Sequence, residues 1–261
     1  MSSNFDFDLF VIGAGSAGVR ASRMAATMGK KVAVAEANYY GGTCVNVGCV
    51  PKKLFVYGSE FAQMVHEAKG YGLELSLNKF DWATLRDNKT KEIERLNGIY
   101  QKLLDGAGVT SIWGHAKLIE ENTVEVDGKT YTAEKILLAT GGWPSELSIE
   151  GGEHAISSNE FFYMETFPKS AVVVGSGYIA VEFAGILNGL GVKTHIASRS
   201  GKLLRGFDGS TREFAEKEIL KKGINLIPSQ PHTITKTNDG LTVSFEQQES
   251  VNVDLVINAT G

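Results

Sequence analysis

The sequence predicts an α/β protein whose parallel sheets fall into two halves, and two observations predict it. A strand, glycine turn, helix and strand succeed one another in FDLFVIGAGSAGVRASRMAATMGKKVAVAE, and the same succession returns about 160 residues later in SAVVVGSGYIAVEFAGILNGLGVKTHIASR. Short apolar runs alternating with helical patterns argue for parallel strands covered by helices. At 261 residues, with 43% apolar and 21% charged residues, the chain is long enough for two cores of ordinary domain size.

Each element follows in order. Leu9 to Ile12 read as a short buried strand, Gly13, Gly15 and Gly18 as the turn, the Ala- and Met-rich stretch to Met28 as a helix, and Lys31 to Ala35 as the second strand. Glycines at these three positions allow a tight turn, close approach of backbone to a pyrophosphate, and close helix-to-strand packing, while the helix N-terminus favours an anion. Glu36, eighteen residues after Gly18, is placed to accept hydrogen bonds from ribose hydroxyls. The unit is therefore read as a dinucleotide site, against a glycine-rich turn without ligand.

The second succession has Val172 to Val174 and Lys193 to Ala197 as strands and Gly175, Gly177 and Ala180 as its fingerprint. Its last strand ends at Arg199 where the first unit has Glu36, and Arg205 follows six residues on. An acid there repels a ribose 2′-phosphate, whereas a guanidinium pairs with it bidentately. The first unit suits a ribose with free hydroxyls, the second NADP(H).

Between the two, Asp81 to Ala107 carries a helical pattern, and β-prone segments follow around Ser111 to Trp113, Thr123 to Val126 and Lys135 to Leu138. Glycine, proline and serine from Trp143 to Glu150 mark a boundary, giving domains of 1–144 and 145–261. VNVDLVINATG reads as the closing strand of the second domain. The prediction is two Rossmann-like three-layer nucleotide-binding domains.

The chain has two cysteines, Cys44 and Cys49, both in GGTCVNVGCVPKK, about thirty residues after the first glycine turn begins. Residues five apart in a regular helix point to different faces, so a bridge between them requires distorted backbone, which Gly41, Gly42 and Gly48 permit. A ring that short stabilises folding by only about 2 kcal/mol, a weak structural reason for the pair. The reading is a redox-active pair beside a bound dinucleotide; two unrelated buried thiols are the competing one.

A net charge of -4 offers no electrostatic case for nucleic acid or an anionic membrane surface. No apolar run approaches a membrane span, and the N-terminus MSSNFDFD is acidic where a targeting peptide is basic, so the expected location is cytoplasmic. With two cysteines and five scattered histidines, no metal site is expected.

Two fingerprints with GGTCVNVGCVPKK after the first closely resemble the pyridine nucleotide-disulfide oxidoreductases, and among them the glutathione reductases. Lys52-Lys53 after the motif proline and Arg199 separate the chain from dihydrolipoamide dehydrogenases, which usually carry Ser-Lys and an acid; ATGGWP and KLLRGFD also resemble glutathione reductases. The resemblance implies FAD at the first site, held by Gly13, Gly15, Ser16, Gly18, Glu36, Gly42, Thr43, Lys52, Ala139, Thr140 and Gly141. It implies NADPH at the second, held by Gly175, Gly177, Tyr178, Ile179, Arg199, Arg205 and Gly261. Electrons then pass from nicotinamide to flavin to the cysteine pair to glutathione disulfide. Cys49 is the flavin-side thiol and Cys44 the thiol that attacks substrate, with a helix N-terminus and a base expected to lower the thiol pKa.

The same resemblance implies that Lys52 supplies positive charge near flavin N5, that Glu182 is its ion-pair partner, and that Tyr178 gates the nicotinamide pocket. Ser16, Arg23 and Tyr100 become substrate contacts. Trypanothione enzymes carry an acid and a tryptophan in the first helix; Arg20 and Arg23 here suit an anionic peptide disulfide instead. The sequence stops where members of this family are a little over half finished, before the second FAD segment and the dimer-interface domain. None of His66, His115, His154, His195 or His232 matches the family's acid-base histidine. Besides an NADPH-dependent glutathione-disulfide reductase, homodimeric in full, the readings are a non-catalytic FAD- and NADPH-binding fragment or a reductase for another disulfide such as dihydrolipoamide or trypanothione.

Overall fold

The computed structural model describes residues 5–261; the first four residues of the acidic N-terminal stretch lie outside the described residues. The chain divides into two compact units. The first comprises the chain up to Pro51 together with Lys89–Trp143, and the second Lys52–Asn88 together with Pro144–Gly261. The break at 143/144 falls where the composition shifts. Residues 52–88 group with the second unit, which a single cut in the sequence does not anticipate.

The first unit begins with β1 (Phe7–Ile12), α1 (Ser16–Thr27), β2 (Val32–Glu36) and the short α2 (Gly42–Asn46). Next come α3 (Cys49–Glu67) and α4 (Trp82–Gly106), both of which run from one unit into the other, then β3 (Thr110–Trp113), β4 (Ala116–Glu120), β5 (Thr123–Val126) and β6 (Lys129–Leu138). The sheet order is β3-β2-β1-β6-β5-β4, parallel from β3 to β6 and antiparallel from β6 to β4. Ile12 pairs with both Ala35 and Leu138, so three strands end together beside Gly13.

Successive side chains of β1 face opposite ways, and both faces are buried. Phe10 and Ile12 join Ala33, Val124 and Val126 on one face; Val11 joins Val34, Val19 of α1 and Leu104 of α4 on the other. Continuous burial explains the unbroken apolar run FVI in place of an alternating pattern.

The second unit adds α5 (Ser158–Phe161), β7 (Ser170–Val174), α6 (Tyr178–Gly189), β8 (Lys193–Ala197), α7 (Gly209–Lys221) and β9 (Asn225–Ile227). It closes with β10 (Pro231–Thr237), β11 (Gly240–Phe245), β12 (Val251–Val253) and β13 (Leu255–Asn258). A four-stranded parallel sheet, β13-β7-β8-β9, shares a core with a three-stranded antiparallel sheet, β10-β11-β12: Val172, Val174 and Val256 pack with Ile234, Val243 and Val253. The expected single closing strand is thus two strands in two sheets. The break is at Asp254, whose carboxylate accepts from the backbone N–H groups of Lys169 and Ser170 at 2.7 and 3.0 Å.

Residues 52–88 belong to this unit through a ring cluster. Phe55 of α3 lies 4.9 Å from Trp82 and 5.6 Å from Phe162, and Phe161 lies 4.5 Å from Phe183 of α6. Phe55, Phe161 and Phe162 are fully buried, and the indole N–H of Trp82 donates to Met164 O at 2.7 Å. Gly189 faces Ser59 so closely that an added Cβ would stand 2.8 Å from the serine Cβ, which brings α6 against α3.

Candidate functional site

In the first unit the glycine turn is built as its spacing requires. Gly13 has φ +102°, and a Cβ there would lie 2.4 Å from Ala139 O, so turn and β6 end approach backbone to backbone. Gly15 is the N-cap of α1, with no side-chain cap and no acid in the first turn, leaving the helix N–H groups to an outside acceptor. Gly42, at φ +61°, faces Gly15 so closely that its Cβ would be 2.6 Å from the Gly15 α-carbon. Ser16 and Thr43 are exposed beside these glycines in the sequence, and Ala139, Thr140 and Gly141 follow β6.

Glu36 ends β2. Its Oε2 accepts from Ala14 N–H at 2.7 Å and its Oε1 from Asn38 N–H at 2.9 Å and Ala37 N–H at 3.0 Å, which fixes the carboxylate beside the turn. Carboxylate oxygens retain further lone pairs for ribose hydroxyls. The uncapped helix end, the close glycine backbones and the fixed acid fit the pyrophosphate and a ribose of a dinucleotide with free hydroxyls.

Cys44 lies on α2 and Cys49 begins α3; both are free thiols, Cys44 partly buried and Cys49 exposed. They are hydrogen-bond neighbours. Burial first, then Cys49, holds the Cys44 thiol up, to about 11. The sequence leads one to expect a lowered value; for Cys44 the structure gives the opposite, because no cation or base is among the groups acting on it.

Two asparagines that sequence reasoning missed hold this loop. Asn46 Nδ2 donates to Gly42 O at 2.9 Å and Tyr40 O at 3.1 Å; Asn97 of α4 donates to Asn46 Oδ1 and to Tyr40 O, both at 2.9 Å. Asn46 sits inside the cysteine motif and was visible there, whereas Asn97 had no local signal. Arg23 is half-buried on α1; Tyr100 packs on the Val11–Leu104 core.

In the second unit the turn repeats. Gly175 has φ +139°, and a Cβ there would lie 2.3 Å from Ala259 O, while Gly177 faces open space as the N-cap of α6 with no side-chain cap. Tyr178 is 59% exposed at the first position of α6, and Ile179 follows half-buried. Arg199 and Arg205 are exposed, and neither forms an ion pair among the described residues. The loop between them is tied to the turn by Leu204, whose N–H donates to Ser176 O at 2.7 Å. Two unpaired guanidinium groups on a loop anchored to an uncapped helix end fit a phosphorylated ribose. Gly261, exposed, follows β13.

Lys52 and Glu182 form a contact that sequence spacing alone would not reveal: Lys52 Nζ stands 2.7 Å from Glu182 Oε1, joining α3 to α6. No group of acids, histidines and cysteines among the described residues is arranged to hold a metal ion, and no described helix is long and apolar enough to cross a membrane.

The chain is 44% identical over 260 residues to a glutathione reductase of Nostoc sp., covering 98% of this chain and 57% of that protein. It is 42% identical over 258 residues to one of Burkholderia cepacia, with 98% and 58% covered. To the chloroplastic/mitochondrial glutathione reductase of Pisum sativum it is 45% identical over 248 residues, with 90% and 45% covered. The chain thus spans about half to three fifths of the length of these relatives. The family model for pyridine nucleotide-disulphide oxidoreductases matches residues 7–261, taking in both glycine turns and the cysteine pair, and the chain belongs to that family.

Proposed function

We propose that the chain is the nucleotide-binding portion of an NADPH-dependent glutathione-disulfide reductase, with FAD held by residues 1–144 and NADPH by 145–261. The observation that carries this reading is the contact between the Cys44 and Cys49 thiols directly after the first dinucleotide turn. When bound, FAD relays two electrons from NADPH to the disulfide of this pair.

The residues supply the rest. Ser16, Arg23 and Tyr100 orient the substrate. The Cys44 thiolate attacks one sulfur of glutathione disulfide, the substrate S–S bond breaks, one glutathione thiolate leaves and takes a proton, and a mixed disulfide remains on Cys44. Cys49 then attacks the Cys44 sulfur, releasing the second glutathione and forming the Cys44–Cys49 disulfide. A thiol held up to about 11 keeps its proton near neutrality, so turnover requires a base that takes it. Lys52, held by Glu182 at 2.7 Å, would set a positive charge beside the bound flavin, and Tyr178 covers the nicotinamide pocket until NADPH displaces it. The reading includes a homodimer in the cytoplasm that does not engage nucleic acid or membranes.

Anaerobic titration of the chain with NADPH after adding FAD tests this. A reduced flavin with a long-wavelength thiolate-flavin band supports it; a free-flavin spectrum unchanged by NADPH refutes a working redox centre. A second reading is favoured by the Cys44 thiol held up to about 11 with no cation or base acting on it: a nucleotide-binding portion without turnover. Binding of both nucleotides without oxidation of NADPH by glutathione disulfide would select it.

A further inference from the structure

The loop that carries Arg199 and Arg205 runs from the end of β8 to the start of α7, and two side chains of α7 hold its middle. Glu216 Oε1 accepts from the backbone N–H of Leu203 at 2.8 Å, and Arg212 Nε donates to the carbonyl oxygen of the same residue at 2.8 Å. Both side chains are half-buried on one face of the helix, yet neither forms an ion pair among the described residues. The next residue, Leu204, is buried with φ +53°, a left-handed conformation that only Asp127 shares among the described non-glycine residues. A leucine stays in such backbone only where its neighbours over-determine it. Here the clamp on Leu203 precedes it, and its own N–H is fixed to Ser176 O of the glycine turn at 2.7 Å.

We propose that Glu216 is a positioning residue for NADPH: with Arg212 it sets the backbone at Leu203, and so the directions from which Arg199 and Arg205 meet the ribose 2′-phosphate, before the nucleotide binds. The inference rests on the NADPH reading of the second unit and adds to it residues that act through the loop. As a charge, an acid packed on this loop opposes an incoming phosphate. Its use is therefore as an acceptor. An unclamped loop has to be ordered on binding, and the apparent affinity falls with the fraction of chains that hold the competent arrangement.

The test is calorimetric binding of 2′,5′-ADP and of ADP to the 261-residue chain and its Glu216→Ala, Glu216→Asp and Glu216→Gln variants. Glu216→Ala removes the acceptor, and Glu216→Asp keeps the charge but shortens the reach to Leu203. Both should weaken 2′,5′-ADP about five- to tenfold, the scale of one lost hydrogen bond to a charged group, while ADP changes less than about twofold. Glu216→Gln keeps the acceptor without the charge and should bind 2′,5′-ADP at least as tightly as wild type. An acid acting only as a charge gives another pattern, in which Glu216→Ala and Glu216→Gln both bind more tightly and Glu216→Asp is unchanged. That pattern, or an equal loss for both nucleotides, overturns the role of Glu216 and leaves the NADPH reading intact. A wild-type chain without preference for 2′,5′-ADP over ADP overturns both.

Discussion

Raising the pH on the reduced chain separates an activated thiol from a suppressed one at Cys44. With its pKa pushed up to about 11, Cys44 is about 0.01% thiolate at pH 7, whereas an ordinary cysteine near 8.5 is about 3% thiolate, roughly a 300-fold difference. A more basic thiolate is intrinsically more nucleophilic, by about tenfold over this interval, so the net deficit is about 25-fold. The assay is iodoacetamide labelling under single-hit conditions, with Cys44 and Cys49 peptides quantified separately by mass spectrometry. Cys44 labelling should rise about tenfold per pH unit from 7 to 10 and level off only near 11. A Cys44 midpoint at or below about 8.5 would refute the argument, because burial and the neighbouring thiol would then be outweighed by a positive group that the structure does not place there.

Three more outcomes are expected. Gly13→Ala forces a side chain onto Ala139 O in left-handed backbone, with strain alone of about 1–3 kcal/mol; FAD retention should be lost and the melting temperature lowered, and unchanged flavin binding would contradict the close approach. Changing Arg199 and Arg205 together to Glu should abolish the preference for 2′,5′-ADP over ADP, measured by calorimetry, while ADP affinity changes little; a retained preference would place the 2′-phosphate elsewhere. His195 is buried on β8, and burial, then Lys193, holds its pKa below the usual 6.5, so the unfolded chain takes up a proton that the folded chain resists. The stability it contributes is present above about pH 6.5 and lost as the pH falls, and His195→Leu should flatten the fall in melting temperature between about pH 6.5 and 5. An unaltered acid slope in the variant would mean that other groups set it.

Elements whose signal is local were legible. β5 and β8 occupy the residues read from sequence, and the helix expected from Asp81 to Ala107 runs Trp82–Gly106. Where pairing with a distant strand decides the extent, the reading fell short: β1 starts at Phe7 because Phe7 pairs with Ala133, and β6 starts at Lys129 because its first residues form a hairpin with β5. The sequence reading assigned no element to α3, which leaves Tyr57, Phe61 and Met64 exposed while Phe55 is fully buried. In the site, the two glycine turns were legible because backbone sterics dictate residue type at fixed spacing. The raised pKa of Cys44 and the Asn46–Asn97 tie were not, because both arise from neighbours brought together only by folding.

The passage of α3 and α4 between the units has a consequence for the order in which the molecule can assemble. Strand β1 is central in its sheet but its partner β6 lies more than 120 residues later, and Phe55 is made more than 100 residues before Phe161 and Phe162, which in turn pack on Phe183. During synthesis the first unit closes only after residues 52–88 of the second have emerged, and apolar surface on those residues stays uncovered until α6 is made. A cut at residue 144 would separate two stretches that read as domains yet leave the later one without the helices that complete its ring cluster. Excised alone, residues 145–261 should therefore aggregate, where a continuous domain of that length would be expected to fold.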